Sequence, residues 1–259
     1  MDLGIAGRKA IVCASSRGLG KACARALAEA GCEIVINGRD KKKLEATATE
    51  LSGLTGAKVT AVAADVATSE GQKALLAACP SPDILINNNA GPPIRDFREL
   101  TRQQMVDGVI ANMVVAIELI QKVIDPMGQH RFGRIVNITS GSVKMPLAGL
   151  DLSSGARAGL TAFLAGVART VADKNITINN ILPGAFDTDR LRGVLSRTAE
   201  QKGKSVTQIA ADRINTIPAR RFGDPAEFGA ACAFLCSAQA GYITGQNLLI
   251  DGGTFNGAF

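Results

Sequence analysis

The sequence predicts an α/β fold: one doubly wound parallel sheet of about seven strands, with helices on both faces and a helical lid. Three observations predict it. Apolar, β-branched runs of strand length alternate with helix-period segments along most of the 259 residues. The first such run leads straight into a glycine-rich turn at 14–20, and a helical pattern follows. No repeat, low-complexity tract or linker interrupts the chain, so a single domain over 1–259 is expected. Strand–helix–strand repetition requires crossovers, which are right-handed and cover both faces of a parallel sheet.

Strands are predicted at 9–13, 33–37, 58–63, 84–87, 134–138, 177–182 and 247–250, each a short apolar run. Helices are predicted at 18–30, 41–54, 69–79, 102–124, 153–173 and 225–237. Gly31 ends the first, as a C-terminal glycine does, and Pro225 opens the last, where its missing N–H is harmless. Segment 187–221 breaks the rhythm: it is polar, helix-forming and strandless, and it follows Pro183-Gly184 at the end of the sixth strand. Ligands of doubly wound sheets bind outside the carboxyl ends of strands, so 187–221 is expected to form a substrate lid. Leu191, Val194, Leu195, Ile209 and Ile214 would supply its inward face. Its eight basic and four acidic residues give a net +4. That charge suits an acidic carrier protein, coenzyme A or a carboxylate substrate, although solvated helix faces produce the same count.

Hydrophobic residues make up 46% of the chain and charged residues 20%, ample for a buried core, and no apolar run is long enough to span a membrane. The first residues lack a basic region followed by an apolar stretch, so no export signal and a cytoplasmic location are expected. Six cysteines, at 13, 23, 32, 79, 232 and 236, form no CxxC pair and sit in apolar patterns, as reduced core residues do. The net charge of +6 forms no continuous stripe, and one tyrosine with no tryptophan leaves little for base stacking, so nucleic-acid binding is not expected. No histidine–cysteine–carboxylate cluster suggests a metal, and the Gly-x-Ser-x-Gly pattern of hydrolases is absent. His130 precedes the fifth strand and belongs to a surface loop at the end remote from the expected site.

The turn at 14–20 carries the clearest chemistry. Glycine at 18 and 20 lets backbone approach a phosphate, and the helix N-terminus offers free N–H groups and a positive dipole end. After a first strand and before a helix, this pattern signals a dinucleotide site, with Ser15, Ser16, Arg17, Gly18, Leu19 and Gly20 as contacts. The second strand ends in Asn37-Gly38-Arg39-Asp40. NAD(H) would want a carboxylate there for the adenosine ribose hydroxyls. Gly38 is neutral instead, and Arg39 and Arg17 suit a ribose 2′-phosphate through charge-assisted bonds. NADP(H) is therefore expected over NAD(H); an Arg39 simply facing solvent beside Asp40 is the alternative.

These residues resemble the short-chain dehydrogenase/reductase family along essentially the whole chain. The turn is similar to the family's TGxxxGxG motif, with Cys13 and Ala14 replacing its Thr and first Gly. Asp65-Val66 resembles the acidic segment after the third strand, which in the family contacts the adenine. Residues 83–91 resemble the fourth strand with its NNAG motif in one of two registers. Placing it at 87–90 keeps the strand ungapped, whereas Asn88, Asn89, Ala90 and Gly91 match it letter for letter. Asn112 matches the family's helix asparagine and Ser140 its catalytic serine. Pro183, Gly184 and Thr188 resemble the PGxxxT segment that meets the nicotinamide amide and the pyrophosphate. The pattern is most similar to 3-oxoacyl-acyl-carrier-protein reductases, and implies a single-domain Rossmann fold with a carbonyl or acyl-thioester substrate. It also implies a homotetramer or homodimer, paired through the small-residue helix that contains Gly159 and Ala162.

One departure stands out. Where the family has YxxxK, this chain has Ser153 and Arg157, and the following Ala-Gly-Leu secures the register. The only tyrosine, Tyr242, lies near the C-terminus. Ketone reduction leaves an alkoxide that must be protonated; a positioned donor is worth roughly 10²–10⁴-fold in rate. Serine is a far weaker acid than a phenol, and arginine does not readily release a proton. Arg157 keeps a charge and can still bond a ribose hydroxyl. The readings left open are an oxidoreductase with a relocated donor, Lys144 or Asp151 being the nearest titratable groups, a specialised reductase relying on Ser140 and water, and a non-catalytic NADP-binding subunit.

Overall fold

The computed structural model describes residues 2–258; Met1 and Phe259, the ends of the expected domain, lie outside them. Strands β1 (Lys9–Val12), β2 (Glu33–Gly38), β3 (Val59–Ala63), β4 (Ile84–Asn87), β5 (Gly133–Ile138), β6 (Ile176–Pro183) and β7 (Asn247–Ile250) form one sheet. It is parallel throughout, in the order β3-β2-β1-β4-β5-β6-β7. Helices α1 (Gly18–Glu29), α2 (Lys41–Thr55) and α9 (Pro225–Cys236) contribute to a core on one face. Helices α3 (Ser69–Ala78), α5 (Val115–Gln129) and α6 (Asp151–Val171) contribute to a core on the other. Successive strand residues alternate between these cores: Ile34 and Ile36 pack in one and Val35 in the other, as the two-residue side-chain period requires. Strand order reverses between β1 and β4, and the carboxyl ends there flank a crevice.

Gly31 follows α1 with φ +85°, the left-handed conformation expected of it. At α9 Asp224 caps, Pro225 opens the first turn and Glu227 completes a capping box. All six cysteines are free and buried, and His130 is exposed at the end of α5. Among the described residues, no helix is long and apolar enough to cross a membrane.

The expected helix 102–124 is corrected. It divides into α4 (Arg102–Val109), a π-helical turn (Ile110–Val114) and α5. Asn112 sits inside the wide turn and its Nδ2 donates to Gly108 O at 3.1 Å, so the side chain competes with backbone for that carbonyl. At its other end α5 runs past 124, through Pro126, because Met127 is buried in the core and anchors the last turn. The lid segment forms α7 (Asp189–Lys202) and α8 (Val206–Asn215), packed around Leu191, Leu195, Ala199 and Ile209. Val194 and Ile214 lie outside that cluster; Ala199, one turn beyond Leu195, continues the helix stripe instead.

Candidate active site

An asparagine ladder crosses the sheet where the crevice begins. Asn87, Asn137, Asn180 and Asn247 occupy paired positions on β4, β5, β6 and β7. Asn87 Nδ2 donates to Asn137 Oδ1 (2.9 Å), Asn137 Nδ2 to Asn180 Oδ1 (3.1 Å) and Asn180 Nδ2 to Asn247 Oδ1 (2.8 Å). The buried amides of Asn87, Asn137 and Asn180, with the exposed Asn247, tie four strands in one register, and Asn87 Oδ1 is left without a partner. The ladder escaped the sequence reading, because its members are scattered in sequence and only strand pairing aligns them.

Since Asn87 belongs to the ladder, the residues beyond the strand are Asn88, Asn89, Ala90 and Gly91. Asn88 Nδ2 donates to Ala14 O (3.1 Å), tying this loop to the glycine turn. Asn89 Nδ2 donates to Ala111 O (3.1 Å) in the π turn, and its Oδ1 accepts from Ala90 N.

Within the turn, Ser15 is corrected. It is fully buried; its N–H bonds Asn37 O (2.8 Å), and its hydroxyl donates to Val12 O (2.7 Å) while accepting from Asn37 N (3.0 Å). These bonds tie the turn to β2 and leave Ser15 no donor for a ligand. Leu19 packs against the core, so only its backbone faces the turn. Arg17 precedes α1 and is exposed, with no ion pair among the described residues. Gly38 is buried beneath Ser16: a Cβ there would lie 3.2 Å from Ser16 Oγ. The Arg39 side chain is 74% exposed, and its one carboxylate partner among the described residues, Asp65, is 3.8 Å away. Val66 turns its side chain into the core and its carbonyl accepts from Gln72 Nε2, so only its backbone N–H is left to meet a ligand.

Across the crevice, Ser140 lies two residues beyond β5 and caps a short 3-10 turn. Its Oγ accepts from Ser142 N (3.1 Å) and Ser142 Oγ (2.9 Å), leaving its own proton to donate outward. Ser142, buried behind it, went unnoticed in the sequence. Ser153 and Arg157 lie one turn apart on α6, both buried. Arg157 Nε donates to Ser153 Oγ (3.2 Å) and Nη1 to Ile138 O (2.8 Å). Burial pulls the Arg157 guanidinium down to about 10, and the charge of Arg190 adds to the effect. Asn112 Oδ1 is buried without a partner. A cavity of about 20 Å³, large enough for one water, lies between Asn89, Asn112, Asn137 and Arg157.

Lys144 lies over the Phe255 ring at 5.5 Å and forms no ion pair among the described residues. Asp151 accepts from Gly149 N (3.0 Å) at the start of α6, which commits one of its oxygens to that turn. Pro183 ends β6, Gly184 N donates to Ile250 O (2.8 Å), and Thr188 caps α7. Thr188 Cγ2 would lie 3.9 Å from a Cβ at Gly18, so the start of the lid abuts the glycine turn.

Comparison with known proteins agrees with this architecture. The enoyl-(acyl carrier protein) reductase family model matches residues 13–254. The chain is 32% identical to the NADPH-dependent reductase BacG of Bacillus subtilis, over 95% of this chain and 97% of that protein. It is 31% identical to the 3-oxoacyl-[acyl-carrier-protein] reductase FabG of Vibrio cholerae, over 98% and 99%. The crystal structure of L-sorbose reductase from Gluconobacter frateurii, complexed with NADPH and L-sorbose, superposes with a TM-score of 0.94 at 28% identity, over 99% of this chain and 100% of that one.

Proposed function

Because the chain belongs to the short-chain dehydrogenase/reductase family of oxidoreductases, we propose that it is an NADP(H)-dependent reductase of a 3-oxoacyl-type carbonyl, with a proton donor other than tyrosine. The observation that carries the reading is the convergence of Asn112, Ile138 and Arg157 on one cavity, with Ser153 hydrogen-bonded to Arg157 and Ser140 two residues beyond Ile138. The names of the relatives support the substrate class.

The residues present fit the cofactor. Gly38 offers no carboxylate and little room for one, while Arg17 and the loosely held Arg39 are free for a 2′-phosphate. NADP(H) would lie along 16–20, Asp65, 88–91, Pro183, Gly184 and Thr188, and supplies the hydride that adds to the carbonyl carbon. Ser140 O–H donates to the carbonyl oxygen. Arg157 orients Ser153 and places a positive charge where negative charge develops. Ser153 holds the position of the family's proton donor without its acidity. Lys144, four residues after Ser140, is a group able to deliver a proton, and Asp151 has one carboxylate oxygen engaged by Gly149 N. Segment 187–221 closes over the carbonyl as a lid.

Arg39→Ala is expected to weaken NADP(H) binding about tenfold, the value of a charge-assisted hydrogen bond, and to leave NAD(H) binding unchanged. Calorimetric titration with both cofactors checks this, and tighter NAD(H) binding by the parent chain would overturn the choice of cofactor.

Assembly as a homotetramer or homodimer is supported by the exposed face of α6, where Gly155, Ala162, Phe163 and Gly166 lie uncovered. Gly159 is unsuited to testing it, because a Cβ there would lie 3.2 Å from Met113 Sδ of the same chain. Ala162→Arg is expected to yield smaller particles by light scattering, and a monomeric parent chain would refute the assembly.

NADPH oxidation measured against a panel of ketones and 3-oxoacyl thioesters tests the activity. Tight NADP(H) binding without turnover on any of them would favour a non-catalytic NADP-binding subunit, the reading that loss of the tyrosine and lysine supports.

A further inference from the structure

Arg190 drew attention in the sequence only as one of eight basic residues between 187 and 221. In the fold it leaves the first turn of α7 and reaches the β4 loop. A Cβ at Gly91 would lie 2.9 Å from Arg190 Nη2 and 3.2 Å from Nη1, so the guanidinium rests almost on the Gly91 backbone. Its two acidic neighbours are directed elsewhere: Asp187 and Asp189 both pair with Arg192, at 3.0 and 3.4 Å. Arg190 itself pairs with no carboxylate among the described residues. Neither does Arg157, which is almost wholly buried and close enough to feel the charge of Arg190. Two guanidiniums, one buried and one exposed, thus lie within electrostatic reach of each other with no carboxylate partner among the described residues. Arg157 is buried without a charged partner, a cost that an arriving oxyanion removes, whereas Arg190 is exposed and its unpaired fork is open to a ligand from solvent. A planar fork of N–H donors over a flat glycine backbone matches a carboxylate in shape as well as charge.

We propose that Arg190 is a specificity residue that binds a carboxylate carried by the carbonyl substrate, making oxo acids the preferred substrate class. This rests on the proposed binding of a carbonyl compound beside NADP(H). The cofactor brings oxyanions of its own, but the glycine turn with Arg17 and Arg39 stands ready for its phosphates. Arg190 instead starts from the lid and reaches Gly91, at the far end of the NNAG segment from the turn contact made by Asn88.

The test is calorimetric and needs no turnover. NADP-loaded protein is titrated with a short 3-oxo acid and with its methyl ester, using the parent chain, Arg190→Met and Arg190→Lys. The parent is expected to bind the acid at least about tenfold more tightly than the ester. Arg190→Met should bring the acid down to the level of the ester, with NADP affinity changed less than about twofold, and Arg190→Lys should recover part of the preference. Equal binding of acid and ester by the parent would overturn the proposal. So would a tenfold loss of NADP affinity in Arg190→Met with the preference for the acid intact, which would make Arg190 a cofactor clamp. A protein that prefers the acid but oxidises no NADPH would refute the reductase reading alone. An active reductase without that preference would refute this inference alone.

Discussion

Ser140→Ala is expected to lower kcat/KM for carbonyl reduction by about 10²–10³-fold, as loss of an oxyanion-stabilising donor does. Ser153→Ala should cost less than about tenfold. The two hydroxyls differ in what surrounds them. Ser140 Oγ already accepts from Ser142 N and Ser142 Oγ, so its own hydrogen is left to point at a substrate oxygen. Those two donors also draw electron density from the oxygen and strengthen it as a donor. Ser153 is buried and accepts from Arg157 Nε at 3.2 Å. It has neither the reach nor the acidity of a phenol. Its removal leaves the Arg157 bond to Ile138 O in place, so the positive charge stays where it is. Steady-state kinetics with cofactor affinity measured in parallel separates the cases. A loss of a hundredfold in Ser153→Ala with NADP(H) binding intact would show that this serine is itself the donor.

Gly20→Ala is the second large effect, and it falls on binding. A methyl group at this position would lie 2.5 Å from Ala14 O and 2.9 Å from Asn88 Nδ2. Those are the two partners whose 3.1 Å hydrogen bond ties the phosphate turn to the β4 loop. Neither can swing aside as a flexible side chain would, because one is backbone and the other is held by it. The turn must open, so NADP(H) affinity should fall by more than about tenfold and stability by about 1–3 kcal/mol. Thermal melting with and without NADP(H), together with calorimetric titration, checks both numbers. A variant that melts and binds like the parent would mean that the turn is more compliant than its contacts indicate.

The alternation of short apolar runs with helix-period segments was enough to predict seven parallel strands and the cofactor end of the sheet. Strand and helix patterns are local, and a glycine turn between strand and helix has one familiar use. Boundaries mostly fell within a residue or two. The prominent exception was 102–124, where an asparagine side chain competing for a carbonyl four residues back inserts a π turn that hydrophobic periodicity does not register. Ser140, Ser153, Arg157 and Asn112 could be named through the family resemblance, whose motifs fall at fixed steps between the elements.

What spacing could not supply was direction. Ser15 lies in the phosphate turn by sequence, yet its hydroxyl and N–H are spent on β1 and β2. Val66 follows the third strand yet turns its side chain into the core. The Asn87–Asn137–Asn180–Asn247 ladder and the approach of Arg190 to Gly91 join residues from distant parts of the chain. The sequence by itself determined the fold class, the glycine turn and the neutral Gly38, all consequences of which residue types neighbour one another. Only the tertiary structure decided which hydroxyls remain free and which guanidiniums lack a counter-ion, because hydrogen-bond satisfaction and charge pairing depend on residues that meet only when the sheet has formed.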